Sequence, residues 1–435
     1  MNKRKDNRPK KLDLRKAIDR RTFIKTAVGA GMTISTLGFP GIVRSAKAPG
    51  EVEIGVVHPM TGSAGPMGQN AIRGWNIAVD EINEAGGIKS LGGAKIKTLL
   101  RDSESDPKVG VAETEKLVKT RAVAIVGAWN SSVTYVCTEV AERNRIPWIV
   151  SVAGSDEICR RGFKYIFRTL TEGHRMEEML VNFIEGIGEK TGKKAKTAVI
   201  MGTDDLIGKT ASKGIKEALN KFKRECVGDI LYPINTGSLK DDITKLADKK
   251  PDVWFFVSQF KDTILITNTL YEQKVKALGF LAYGVGFLDN QYLKQVGNLG
   301  ENFFAVTKFD YDLNTELEQD FEKKMKTRYS VSANQHSACC YVEAYILKDA
   351  LERAKSLDRD KLRDAIESTN MTSGPALLTP GKGVKYDQNH ENAYAQDLMS
   401  QVIQSAWHTV WPLERKRKFD PVWPRPDWPS KRSWG

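Results

Sequence analysis

Short apolar runs alternate with longer amphipathic segments through most of the chain. The run "EVEIGVV" from Glu51 predicts a strand, and "GQNAIRGWNIAVDEINEAGG" from Gly68 predicts a helix because its apolar residues recur every three to four positions. The glycines that end this segment are a helix stop signal. The next predicted strands are "AKIKTLLRD", "AVAIVG" and "PWIVSV", with helical patterns between them.

A second series of the same kind begins beyond Thr169. Its predicted strands "KTAVIMG", "GDILYPI", "PDVWFFVSQ" and "GFLAYG" are separated by helical patterns, and the strand "NFFAVTKFD" follows them. Strands joined through helices must run parallel with right-handed crossovers, so each series predicts an open, doubly wound sheet. The sequence therefore predicts an α/β protein with two lobes.

Three helical patterns follow the last of these strands, at about residues 316–328, 336–354 and 359–368. We expect them to return to the first lobe, because a lone helical tail would have no sheet to cover. The predicted boundaries are residues 51–168 plus about 312–385 for the first lobe, and 169–311 plus about 386–412 for the second. Several crossings between the lobes indicate a hinge with a cleft between them.

A basic segment with a short apolar run opens the chain. Residues 26–43 carry no charge, but they include four glycines and a proline and fall short of the roughly 20 residues that span a bilayer. They also lack the amphipathic period of a core helix. The order of a charged region, an apolar run and small residues is typical of a targeting signal. The string "DRRTFIK" from Asp19 resembles the twin-arginine export motif, which predicts a signal peptide over residues 1–48; the alternative is a basic tail that binds nucleic acid.

Most of the positive charge lies at the two ends of the chain. The net charge is +13, but residues 1–49 hold 13 basic and 3 acidic residues, and the Pro/Trp-rich tail at 413–435 holds 7 basic and 3 acidic residues. The body between them has a net charge close to zero, which argues against an extended groove for nucleic acid. The tail lacks a helical period, and both a surface wrap and a disordered tail remain open.

The cysteines are too few and too scattered for a disulfide scaffold, and none forms a Cys-x-x-Cys pair. We expect them to be small apolar core residues. They are Cys137, Cys159, Cys226, Cys339 and Cys340.

Candidate binding chemistry follows the predicted strands, because ligands of open α/β sheets bind beyond the carboxyl ends of strands. After the first strand, "HPMTGSAGPMG" spaces its glycines as G-x-x-G-x-x-G, which differs from the dinucleotide-binding pattern. After the third and fourth strands come "AWNSS" and "AGSD", with hydroxyls and free amides. These groups can clamp a carboxylate or simply cap helices, and the loops alone leave both interpretations open.

The same stretches carry a family resemblance. The segment "IGVVHPMTGSAGPMGQNAIRGWNIAVDEINEAGGI", followed by "RDSESDPKVGVAETEKLV", "AIVGAWNSSVT", "IPWIVSVAGSD" and "GFKYIFRT", resembles the branched-chain amino acid binding proteins of bacterial ABC importers. The match is dense to about Thr169 and weaker but collinear to about Trp411. It implies a type I periplasmic binding protein fold, with two doubly wound α/β lobes joined by a three-stranded hinge and closing on one small ligand.

The resemblance also implies ligand contacts. A serine that starts the helix after the third strand, Ser131 or Ser132, and the loop after the fourth strand would hold the ligand carboxylate. With the residues expected to line the cleft, the candidate ligand-binding set is Met67, Trp129, Asn130, Ser131, Ser132, Ala153, Gly154, Ser155, Asp205, Ile207, Gln259, Phe260, Tyr283 and Phe287.

Two departures from the family pattern concern the ligand. The stretch "LAYGVGFLDN" carries no acid before Asp289 where the family places a carboxylate for the ligand ammonium, and Ile207 stands where an aromatic residue often walls the pocket. Either an apolar or aromatic acid is the ligand, or Asp204, Asp205 or Asp289 supplies the missing partner.

Catalytic motifs are missing from the sequence. The five histidines lie far apart, and no H-E-x-x-H, G-x-S-x-G or P-loop pattern occurs. We therefore expect a non-enzymatic, exported receptor without cofactor or metal. Its partners would be a small carboxylate or amino acid, ABC permease and ATPase subunits and the twin-arginine machinery; a periplasmic ligand sensor that feeds a signalling receptor is the alternative.

Overall fold

The computed structural model describes residues 50–284, 286–289 and 291–433. The predicted signal peptide lies outside these residues. Within them, no helix is both long enough and apolar enough to cross a membrane.

The first lobe is built on a parallel five-stranded sheet with the order β2-β1-β3-β4-β5. Apolar side chains fill the core on both of its faces. Helix α2 shows how the sequence sets a boundary: Pro107 takes the first turn and the Asp106 carboxylate accepts the Lys108 and Val109 amides. The elements are β1 (Glu51–His58), α1 (Gly65–Glu84), β2 (Lys95–Asp102), α2 (Pro107–Val118), β3 (Ala124–Gly127), α3 (Ser131–Arg143), β4 (Trp148–Val150) and β5 (Ile166–Arg168).

The second lobe is built on a seven-stranded sheet with the order β14-β13-β10-β9-β8-β6-β7. Its first five strands in chain order are parallel, and helices cover both faces. These elements are α4 (Gly173–Thr191), β6 (Thr197–Thr203), α5 (Leu206–Lys221), β7 (Glu225–Tyr232), α6 (Lys240–Ala247), β8 (Val253–Val257), α7 (Phe260–Glu272), β9 (Gly279–Ala282), α8 (Tyr292–Val296) and β10 (Phe303–Thr307).

Three later helices pack on the first lobe. They are α9 (Glu316–Tyr329), α10 (Gln335–Ala354) and α11 (Arg359–Glu367), and a small hairpin of β11 (Asn370–Met371) and β12 (Val384–Lys385) follows them. Phe321, Leu347 and Leu362 from these helices share one core with Val52 and Ile54 of β1. The three predicted helices therefore belong to the first lobe, as expected, and α10 packs along α1 there.

The chain then returns to the second lobe and ends there. Strand β13 (Leu398–Ile403) pairs antiparallel with β10, and β14 (Ala406–Trp411) pairs antiparallel with β13, which makes this sheet mixed. The sequence pattern had predicted neither of them, and it had also passed over the short strand β5. A run of three to six residues gives little periodicity from which to assign a strand.

The described part of the tail, residues 413–433, lies against the second lobe. The Trp423 indole is buried in its core and donates from Nε1 to the Lys193 carbonyl at 2.8 Å. The Arg425 amide donates to the Leu278 carbonyl at 2.8 Å, and its guanidinium lies 3.9 Å from the centre of the Trp428 ring. Of the two alternatives for the tail, the structure shows the wrap.

Candidate functional site

A cavity lies where the two lobes meet. Its volume is about 440 Å³, counting the part open to solvent. The first lobe contributes Trp129, Asn130, Ser131, Val152, Gly154, Gln335 and His336, the second contributes Met176, Ile207, Gln259, Tyr283 and Gly284, and Lys308 lies between them.

The strand ends explain why residues distant in sequence meet here. Asn130 follows β3 and Gly154 follows β4, and these strands are neighbours in the first sheet. In the second sheet β6, β8 and β9 are adjacent, and they lead into Ile207, Gln259 and Tyr283. Both sets of carboxyl ends meet at the cavity, as expected for open parallel sheets.

Helix α3 presents an open N-terminus to the cavity. Asn130 is its N-cap residue, yet its side chain makes no capping bond, and its buried Oδ1 has no protein partner. The first residue of the helix, Ser131, lines the cavity and accepts the Ser155 amide at 3.3 Å. Free amides at a helix N-terminus attract a carboxylate.

Residues 153–155, here called the clamp loop, are held from behind by Arg168. This fully buried guanidinium donates to the Gly154 carbonyl at 3.1 Å and to the Ser155 carbonyl at 2.6 Å. It also pairs with Glu391 at 3.4 Å. These two carbonyls therefore already have a donor, whereas the buried Ser155 hydroxyl has no protein partner.

The Trp129–His336 pair supplies a neutral donor. Trp129 Nε1 donates to His336 Nδ1 at 3.1 Å, and because an indole N–H can only donate, the proton of the neutral imidazole lies on Nε2. Burial lowers the pKa of His336 to about 3, so the ring carries no charge at neutral pH. Its buried Nε2 has no protein partner.

Lys308 brings a charge that its own neighbours neutralise. Its ammonium donates to the Thr171 carbonyl at 2.9 Å, to the Thr171 hydroxyl, and to Asp397 at 3.3 Å. These partners use all three donors of the ammonium. The three residues, here called the hinge knot, lie on the three chain segments that run between the two lobes. Burial lowers the pKa of Lys308 and the Asp397 charge opposes that effect.

Gln335 joins the two lobes beside this knot. Its Oε1 accepts the Lys308 amide at 3.1 Å, and its Nε2 donates to the Gly284 carbonyl of the second lobe at 3.3 Å. Neither Gln335 nor His336 was a predicted site residue, because both stand at the start of α10, far along the chain from the strand ends.

The three acids considered as ammonium partners lie outside the described cavity lining. Asp204 is exposed and pairs with Lys209 at 2.7 Å. Asp289 accepts the Asn70 side chain at 3.4 Å, although Asn70 belongs to the other lobe. Asp205 Oδ1 caps α5, where it accepts the Gly208 amide at 3.0 Å.

Three apolar candidates belong to a buried core that both lobes share, instead of lining the cavity. Met67 of α1 shares one buried core with Phe260 and Phe287 of the second lobe, and Trp129 belongs to the same core. This apolar seam brings the lobes into contact beside the cavity. Burying it favours the closed arrangement, since apolar contacts are stabilising.

The structure divides the candidate set in two. Those that line the cavity are Trp129, Asn130, Ser131, Gly154, Ile207, Gln259 and Tyr283. Those placed elsewhere are Met67, Ser132, Ala153, Ser155, Asp205, Phe260 and Phe287. Lining residues absent from the candidate set are Val152, Met176, Gly284, Lys308, Gln335 and His336.

Within the described residues, one group has metal-ligand spacing: Asp156, Glu172 and His174. The Arg160 guanidinium lies 3.0 Å from Asp156 and 3.5 Å from Glu172, so the two carboxylates already have a cation. None of these residues lines the cavity. The donor set of the cavity, which is amides, hydroxyls and one imidazole, suits an organic ligand.

Comparison with known proteins agrees with this arrangement. Residues 51–401 match the profile of a family described as "Periplasmic binding protein". A Leu/Ile/Val-binding protein homolog of Brucella melitensis is 28% identical over 371 residues, which cover 83% of this chain and 91% of that protein. This relative extends the match across both lobes.

Two solved structures share the fold. A solute-binding protein of R. palustris in complex with benzoate has a TM-score of 0.72 at 20% identity, and the match covers 83% of this chain and 95% of that one. A branched-chain amino acid transporter substrate-binding protein of Streptococcus pneumoniae in complex with isoleucine has a TM-score of 0.71 at 20% identity, covering 82% and 97%. With two α/β lobes around one cavity and a family profile matched over most of its length, the chain belongs to the periplasmic binding protein family, in the type I fold of branched-chain amino acid ABC transporter binding proteins.

Proposed function

We propose that this protein is an exported, non-enzymatic receptor of an ABC importer that captures a small carboxylate without an ammonium group. The observation that supports this most strongly is the composition of the cavity wall. Among the residues that the structure describes there, none is an aspartate or glutamate, and the lysine is already paired. An open helix N-terminus faces the same space.

A carboxylate fits these groups better than a zwitterion does. The first-turn amides of α3 and the Ser131 hydroxyl can donate hydrogen bonds to a carboxylate. The neutral His336 Nε2–H can donate to a further acceptor on the ligand. An ammonium buried beside them would find no charged partner, which is costly. We therefore favour an acid with an apolar or aromatic body over a branched-chain amino acid.

The structural neighbours are consistent with either ligand class. The R. palustris protein holds benzoate and the S. pneumoniae protein holds isoleucine, and both match this fold about equally well. The fold alone therefore leaves the ligand class open, and the choice rests on the cavity wall.

Ser131 offers a direct test with a matched control one residue away. Ser131→Ala should weaken binding of a carboxylate by about 1.5–3 kcal/mol, the range for a hydrogen bond to a charged group. Ser132→Ala should leave affinity almost unchanged, because Ser132 does not line the cavity. Isothermal calorimetry with benzoate, hydrocinnamate or isocaproate measures both, and equal effects from the two variants would move the carboxylate away from the N-terminus of α3.

We further propose export through the twin-arginine pathway to the periplasm, on the strength of the string "DRRTFIK". The Arg20→Lys, Arg21→Lys double variant should then leave precursor in the cytoplasm. Normal arrival of this double variant in the periplasm, with export lost only when the Sec channel is blocked, would contradict this.

Delivery of the ligand to permease and ATPase subunits is part of the same proposal. A periplasmic sensor role is the second candidate function. Genes for a permease and an ATPase beside the gene of this protein would distinguish the two.

We also propose the boundaries of the two lobes and the tail. Residues 51–168 and about 312–385 form the first lobe, and 169–311 with about 386–412 form the second. Residues 413–435 form the tail. Closure of these lobes on the ligand would present a distinct shape to the permease.

A further inference from the structure

One carboxylate lies just behind the cavity wall. Asp205 Oδ1 is fully used, since it accepts the Gly208 amide at 3.0 Å and the Thr203 hydroxyl at 2.8 Å. Its other oxygen, Oδ2, accepts the Gln259 side-chain amide at 3.4 Å, a long contact for a hydrogen bond. Asp205 therefore keeps acceptor capacity on the side that faces Gln259.

Gln259 stands between this carboxylate and the ligand space. Gln259 is 2% exposed and lines the cavity, whereas Asp205 does not line it. Its Oε1 is buried without a protein partner. Gln259 is the N-cap residue of α7 but makes no side-chain capping bond. Its side chain thus contributes to the cavity wall and to Asp205, and not to the start of its own helix.

We propose that Gln259 determines ligand specificity by screening Asp205, so that the cavity accepts acids and rejects α-amino acids. This rests on the proposed function. The amide fills the space through which a ligand ammonium would reach Asp205 Oδ2, and it offers that ammonium only a neutral oxygen. When the amide is removed, the vacated space connects the carboxylate to the cavity, and an ammonium gains a charged partner.

The substitutions Gln259→Ser and Gln259→Ala test this by shortening the side chain. Serine is also a good N-cap residue, so α7 should start normally. Both variants should bind leucine at least about tenfold more tightly relative to isocaproate than the unaltered protein does, because a buried charge pair contributes strongly to affinity. Isothermal calorimetry with leucine against isocaproate, and phenylalanine against hydrocinnamate, gives the two ratios.

Two controls separate screening from other effects. Gln259→Met keeps the volume that blocks Asp205 and should show no gain. Asp205→Asn retains the cap on α5, since asparagine caps as well as aspartate, and combined with Gln259→Ser it should abolish the gain. Thermal unfolding of each variant confirms that it is folded.

The outcomes distinguish this inference from the proposed function. No gain in either shortened variant, a gain that persists in the Asp205→Asn double variant, or loss of all binding in Gln259→Ala would overturn the screening role. Tighter binding of the amino acids by the unaltered protein would instead refute the proposed ligand class. The shift in the leucine-to-isocaproate affinity ratio between the variants and the unaltered protein would still test the screening role by itself.

Discussion

Asp397→Asn should lower the free energy of unfolding by about 3–5 kcal/mol, because it leaves a buried ammonium without its counter-charge. The side chains of Asp397 and Lys308 are each 2% exposed, and their charged atoms lie 3.3 Å apart. The Thr171 hydroxyl also donates to Asp397, at 2.5 Å. Asparagine is nearly the same size, so the loss of charge is the main change. Urea unfolding followed by circular dichroism measures the effect.

Two further variants make this result specific to the hinge knot. Asp427→Asn removes the ion pair between Asp427 and Lys276, whose side chains are 78% and 76% exposed respectively. This variant should barely change the free energy of unfolding. Lys308→Met with Asp397→Leu replaces the buried pair by apolar side chains and should recover much of the loss. An Asp397→Asn protein as stable as the Asp427→Asn control would show that the knot does not stabilise the hinge.

The fold could be predicted from the sequence where elements are long and periodic. The pattern placed helices at about residues 316–328 and 336–354, and α9 and α10 lie at Glu316–Tyr329 and Gln335–Ala354. The physical reason is that a helix that buries apolar side chains in the core of its lobe carries a period in its own sequence. Strands β13 and β14 lack such a signature, because they are short and pair antiparallel at the end of a parallel series.

The candidate site could be predicted only where it follows strand ends. Asn130, Gly154 and Tyr283 lie in the loops that follow strands and line the cavity. Lys308 follows β10 directly, but the predicted strand "NFFAVTKFD" ran past it, whereas His336 reaches the cavity through the return of the chain to the first lobe, which no local pattern encodes. Phe287 and Met67 were expected in the cavity wall because they are large and apolar, but such side chains serve a seam between lobes equally well.

The preference for acids over amino acids is the other large effect that we expect. An amino acid brings an ammonium into a wall where the described residues offer no carboxylate. The Gly154 and Ser155 carbonyls each already accept one bond from Arg168, and as neutral acceptors they do not replace a carboxylate as the partner of an ammonium. Burying an unpaired charge costs several kcal/mol, so isocaproate should bind at least about 100-fold more tightly than leucine, or about 2.7 kcal/mol.

The measurement that tests this most directly is a paired calorimetric titration of the unaltered protein. Leucine is compared with isocaproate, and phenylalanine with hydrocinnamate, so that each pair differs by the amino group alone. The account predicts tighter binding of the acid in both pairs. Tighter binding of the amino acid in both pairs would contradict it and would place an ammonium partner in the closed cleft.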